Sequence, residues 1–229
     1  MGADPSGFLG KAEPLHPDLV EHLFPDGEGM VVHHPLIISH SFSPGFFGEV
    51  NRLYMVNKQD VIDAEAKRDW TNFMLLHERP YRFQTFRKIR NRLSDAEYWE
   101  VLGNLYTDSE TIHCNLRFLR PALTSTRPCR ERIMNPQERR FLAKQGERLT
   151  IYRGCRSGRK IGWSWTLDRR KAEWFARRFE EYVEGSPIVL IGEVDKNDVI
   201  AYFADRKEKE IVVDPKKVKV VGRETITFL

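Results

Sequence analysis

Long apolar runs are missing from this chain of 229 residues: no stretch approaches the roughly 20 residues a helix needs to cross a bilayer, so no membrane span is expected. Paired cysteines are missing too. Cys114, Cys129 and Cys155 are odd in number and none stands in a CxxC pair, which argues against a disulfide frame or a zinc site and fits reduced thiols in a cytoplasmic setting. The opening residues Met1-Gly2-Ala3-Asp4-Pro5-Ser6 have neither the basic patch nor the apolar stretch of a secretory signal. There is no internal repeat and neither common Gly-rich phosphate loop. Charge of one sign does not dominate either. Against 33 Asp and Glu stand 37 Lys and Arg, a formal net charge of +4 that permits an anionic substrate or partner without requiring one. What remains is an apolar fraction of 41%, ordinary for a packed core, in a chain long enough for one substantial domain plus an accessory segment.

The pattern changes along the chain. Residues 1–59, rich in Pro, Gly and His, read as an N-terminal extension whose only strand-like run is Met30–Ile38. His33, His34 and His40 lie there without a carboxylate or cysteine at ligand spacing, so they read as loop or packing histidines and no metal is expected. From about Asp60 to Gly146 the period is helical: Trp70, Phe73, Met74 and His77 recur at three- and four-residue intervals before Pro80. Ser94 with Glu97 and Thr107 with Glu110 have capping-box spacing, which predicts helices over about 95–106 and 108–119. A third helix is expected from Asn135, with Pro136 in its first position and Gly146 placed to stop it.

Beyond Arg148 the runs become short and β-branched: Leu149–Tyr152, Ile188–Ile191, Val199–Phe203, Ile211–Val213 and Val218–Val221. One helix interrupts them, from Asp168 as N-cap through Ala172, Trp174, Phe175, Ala176 and Phe179. The expected class is α+β, a helical part over 60–147 followed by a small mixed β-sheet over 148–229.

On or beside these strands stand Tyr152-Arg153-Gly154, then Gly162-Trp163-Ser164-Trp165-Thr166, then Glu208-Lys209-Glu210 ahead of Ile211-Val212-Val213. On a strand, Glu208 and Glu210 would point to one face about 6–7 Å apart and reach one cleft. Arg153 offers a planar fork for phosphate or ribose, and Gly154 would let a ligand approach the backbone. The order resembles the Arg, Ser-Thr-Ser and Glu-x-Glu elements of the mono-ADP-ribosyltransferases, including the arginine-modifying bacterial toxins, over roughly residues 148–221. Trp165 and Thr166 depart from the usual Thr and Ser.

The resemblance implies NAD as co-substrate, with Arg153, Gly154 and Ser164 binding it, Ser164 holding Glu210, and no metal. It implies that Glu210 bonds the ribose 2′-hydroxyl and Glu208 deprotonates the acceptor. The residues 202–207 would choose that acceptor, and Glu at 208 resembles the enzymes directed at a protein arginine. It further implies an intracellular toxin or effector, for which an antitoxin or immunity partner comes into question. Each piece has a plain structural counterpart, such as the charged face of an edge strand for Glu-x-Glu. Arg79, Arg82, Arg87, Lys88, Arg90 and Arg92, interleaved with Tyr81, Phe83 and Phe86, read first as a solvated helix face with an apolar underside. The same stretch keeps open a nucleic-acid acceptor, or a non-catalytic module that binds nucleic acid or a partner. Water as the acceptor also stays open.

Overall fold

The computed structural model describes residues 13–41, 44–109, 112–158, 162–178, 184–204 and 207–226. By its internal contacts the chain divides into two compact units, Met1–Leu93 and Ser94–Leu229. Both contain helix and sheet, so the class is mixed α+β.

In the first unit α1 (Pro17–Val20) leads into an antiparallel sheet of β1 (Leu23–Asp26), β2 (Gly29–His34) and β3 (Ile37–Ser41), in that order. The run Met30–Ile38 is therefore two strands rather than one. Pro35 and Leu36 turn the chain, and His34 Nδ1 accepts the Leu36 N–H at 3.1 Å. Three helices follow: α2 (Phe47–Ala66), α3 (Trp70–Leu75) and α4 (Arg82–Ile89). Helix α2 runs straight through position 60, so the change of pattern at 59/60 lies inside a helix, whereas packing divides the chain at 93/94. Leu19, Val32, Leu36, Ile37, Val50 and Tyr54 form the core. Around the basic stretch Phe83 and Phe86 are buried, and the Tyr81 hydroxyl donates to the His33 carbonyl at 2.7 Å. Arg79, Arg87, Lys88, Arg90 and Arg92 are exposed. The aromatic rings that would stack on bases are thus turned into the unit.

The second unit contains α5 (Asp95–Asp108), α6 (Ile112–Leu123), α7 (Pro136–Ala143), β4 (Arg148–Arg156), β5 (Ser164–Thr166) and α8 (Arg169–Arg177). It continues with β6 (Pro187–Asp195), β7 (Val199–Phe203), β8 (Glu210–Val213) and β9 (Lys219–Thr225). These strands build one sheet in the order β7-β8-β5-β4-β6-β9. Every neighbouring pair is antiparallel, which corrects the expectation of a mixed sheet. The reason lies in α8, which carries the chain from β5 over β4 to β6 and leaves β4 antiparallel between them.

Local signals explain most helix boundaries. Ser94 with Glu97 and Asn135 with Glu138 both form complete capping boxes, and Asp168 caps α8 through the Arg170 and Lys171 N–H groups. Thr107 does not cap a helix. It lies in the last turn of α5, where its hydroxyl reaches back to the Gly103 carbonyl at 3.2 Å. Glu110 and Phe179 lie outside the described residues.

Helix α8 packs on β4 and β6 through Ala172 and Ala176, both fully buried with Val189. That approach needs Gly154: a Cβ there would stand 1.8 Å from the Ala172 carbonyl oxygen and 2.6 Å from the Ala176 nitrogen.

Candidate active site

Strand β4 pairs with β6 along its whole length but meets β5 only at Tyr152↔Thr166. Where the two strands part, a cleft of about 290 Å³ opens. Arg153, Gly154, Ser164, Glu208 and Glu210 all line it. The five residues singled out in the sequence are therefore brought to one cavity, from β4, β5, β8 and the segment before β8.

The two glutamates converge by a different route from the one expected. Strand β8 begins at Glu210, so Glu208 is not on it. Lys207 at φ 54° and Lys209 at φ 46° sit in the left-handed region, which lysine adopts only under constraint. The constraint comes from the end of β5. Thr166 Oγ1 donates to the Glu208 carbonyl at 2.6 Å and accepts from the Asp168 N–H at 2.9 Å. The Leu167 N–H bonds the Lys209 carbonyl at 3.1 Å, and Lys209 Nζ stands 3.7 Å from Asp168. Thr166, one of the departures from the family pattern, is thus a buried tie that holds the Glu208 backbone. Of the expected acceptor segment, Asp205 and Arg206 lie outside the described residues.

Glu210 is held by a residue that the sequence reading passed over. Tyr106, at the end of α5, donates its hydroxyl to Glu210 Oε1 at 2.9 Å. Its ring is stacked on Phe203 with centroids 5.3 Å apart. Burial, then the nearby Glu210 charge, push the Tyr106 phenol well above the ordinary tyrosine value, so it stays a donor. A faint signal existed: Tyr98, Trp99, Leu102, Leu105 and Tyr106 share one buried helical face. Nothing local, however, distinguishes a phenol that reaches across the fold from one that only packs.

Arg153 spans the gap between β4 and β5, donating from Nη1 to the Ser164 carbonyl. Its guanidinium lies against Gly162, where a Cβ would come within 2.5 Å of it. Burial draws the guanidinium below the usual arginine value, opposed by Cys155, Tyr106 and Glu210. Its Nε is buried with no hydrogen-bond partner among the described residues. Gly154 lines the cleft, but the space beside it is taken by α8, so helix packing rather than ligand approach requires a glycine here.

No protein-family model, curated protein or solved structure matches the chain. The chemistry of the cleft is therefore read from its own groups. It combines a carboxylate fixed by a phenol, a second carboxylate on a constrained turn and a buried cation with an unmet donor. Arg178 and Phe175 from the end of α8 also line the cleft. An acid-lined cavity with an adjoining arginine suits a ligand that joins an anionic group to a centre that becomes cationic. Among the described residues no group of three or more His, Cys, Asp or Glu side chains is placed to hold a metal. Of the N-terminal histidines, His34 accepts a backbone N–H and His40 pairs with Asp26 at 2.8 Å. Cys129 is exposed, burial pushes the Cys155 thiol up, and the side chain of Cys114 lies outside the described residues.

Proposed function

We propose that the chain is a mono-ADP-ribosyltransferase that moves ADP-ribose from NAD to a macromolecular acceptor, a protein arginine, and releases nicotinamide, acting as an intracellular toxin or effector. The observation that carries this reading is the convergence of Arg153, Ser164, Glu208 and Glu210 on one cleft. The ADP-ribosyltransferase fold is part of the same proposal.

The residues fit NAD. Among the described residues the Arg153 Nε–H has no acceptor, and a phosphate or ribose oxygen would supply one. A cavity of about 290 Å³ is near the lower end of ligand pockets and suits one half of a dinucleotide. When the ribose C1–N bond of NAD breaks, its electron pair leaves with nicotinamide and positive charge grows on the sugar. The Glu210 carboxylate, fixed by Tyr106, stabilises that charge and accepts the 2′-hydroxyl. Glu208 pairs with the incoming guanidinium and takes the proton displaced as the nitrogen bonds to C1.

The test is NAD turnover with a lysate, read as released nicotinamide and as an ADP-ribose adduct by mass spectrometry. Glu210→Gln is expected to slow both by on the order of 10²–10³-fold. Glu208→Gln is expected to abolish transfer while nicotinamide release persists. A wild-type protein that neither releases nicotinamide nor labels anything sinks the reading. Label removed by nuclease would move the acceptor to nucleic acid, and free ADP-ribose alone would make it water.

A further inference from the structure

We propose that Tyr106 is the positioning residue for the Glu210 carboxylate. This rests on the reading of Glu210 as the group that meets the ribose.

The geometry leaves the phenol little freedom. Tyr106 is 1% exposed, its ring is stacked on Phe203 at an interplanar angle of 25°, and its hydroxyl ends 2.9 Å from Glu210 Oε1. A tyrosine has only two side-chain torsions, so a packed ring fixes its oxygen at small entropic cost. The hydroxyl has a single proton, and it goes to Glu210. In a buried setting that bond strengthens the hold on the charged carboxylate.

Two other features anchor the phenol. Tyr106 rides on α5, whose start is fixed by the Ser94–Glu97 capping box and whose inner face is buried through Trp99, Leu102 and Leu105. Phe203 ends β7, and pairs across the ladder with Glu210 itself. Ring and carboxylate are therefore referred to the same point of the sheet. A carboxylate that accepts a bond from a fixed donor also stays ionised to lower pH.

Tyr106→Phe removes the hydroxyl and keeps the ring on Phe203. The expected result is a fall in kcat for nicotinamide release of about 10–100-fold, the size usual for loss of a supporting hydrogen bond behind a reacting group. The KM for NAD should stay within about threefold, since substrate contacts are untouched. The acid limb of the kcat profile should move up by about one pH unit.

A readout that needs no turnover is the Glu210 titration, followed by ¹³C NMR and assigned with Glu210→Gln. Its midpoint should rise in Tyr106→Phe. Should that variant not fold, fluorotyrosine at 106, with a more acidic hydroxyl, should lower the midpoint. An unmoved Glu210 titration, or wild-type kinetics in Tyr106→Phe, overturns the inference. A wild type without NAD turnover whose Glu210 titration still responds defeats only the reaction assigned to the cleft. An active wild type whose titration does not respond defeats only the role of Tyr106.

Discussion

Placing a methyl group on Gly154 separates two accounts of that residue. A ligand-approach role makes Gly154→Ala a binding defect; a packing role makes it a stability defect. The added Cβ would lie 1.8 Å from the Ala172 carbonyl oxygen, whereas carbon and oxygen in close contact stand about 3.3 Å apart. Helix α8 must therefore retreat by roughly 1.5 Å, and the Ala176 nitrogen at 2.6 Å blocks an easy slide. Both contacts are backbone, so no side chain can turn aside. Forcing α8 off β4 opens a core in which Ala172, Ala176 and Val189 are fully buried. Strain of this kind costs about 3 kcal/mol at the upper end of overpacking. For a chain of this size that lowers the melting midpoint by about 6–12 °C. Thermal unfolding of purified Gly154→Ala, followed by circular dichroism without NAD, measures it. A midpoint within about 2 °C of wild type would refute the packing account.

Two further outcomes are expected. Thr166→Val removes the hydroxyl that serves both Glu208 and Asp168 and leaves two groups unpaired, at a cost of about 2 kcal/mol and about 4–8 °C in melting midpoint. Transfer should suffer more than NAD hydrolysis in that variant, and Thr166→Ser should behave as wild type; equal losses in both reactions would argue against Thr166 as the tie on Glu208. The first unit should lose stability as pH falls. Burial, then the neighbouring His22, lower His34 from 6.5 to about 4, so between these values the unfolded chain binds more protons than the folded one. Protonation also takes from His34 Nδ1 the lone pair that accepts the Leu36 N–H. Urea unfolding at pH 7 and pH 4.5 should show the loss, and His34→Asn, which does not titrate, should reduce it, leaving the share of His77, which burial also lowers.

The secondary structure was legible where one residue type dictates it locally. Ser94 and Asn135 announce helix starts because their side chains satisfy N–H groups three positions away. The run Val199–Phe203 reads as a strand and is one. Thr107 misled because a hydroxyl in the last turn of a helix can bond backward as readily as it can cap the next helix. In the cleft, the identities of Arg153, Ser164, Glu208 and Glu210 were visible because their motifs are short. Their support was not. The tie from Thr166 to Glu208 spans 42 positions and that from Tyr106 to Glu210 spans 104. Partners so far apart leave no trace in the spacing of either segment. The left-handed turn at Lys207 and Lys209 was hidden for a related reason: lysine does not advertise that conformation, and the surroundings impose it.

The single ladder position joining β4 to β5 makes the sheet two leaves on one pin, with the Arg153 guanidinium as a strut from one leaf to the Ser164 carbonyl on the other. Arg153 and Gly154 belong to one leaf; Ser164 and Glu210 belong to the other. The spacing between cation and carboxylate is thus set like the jaws of a caliper, by the angle between leaves. A ligand that reaches both jaws is gauged by length as well as by charge. Shortening Arg153 therefore resets the gauge at the same time as it weakens the grip.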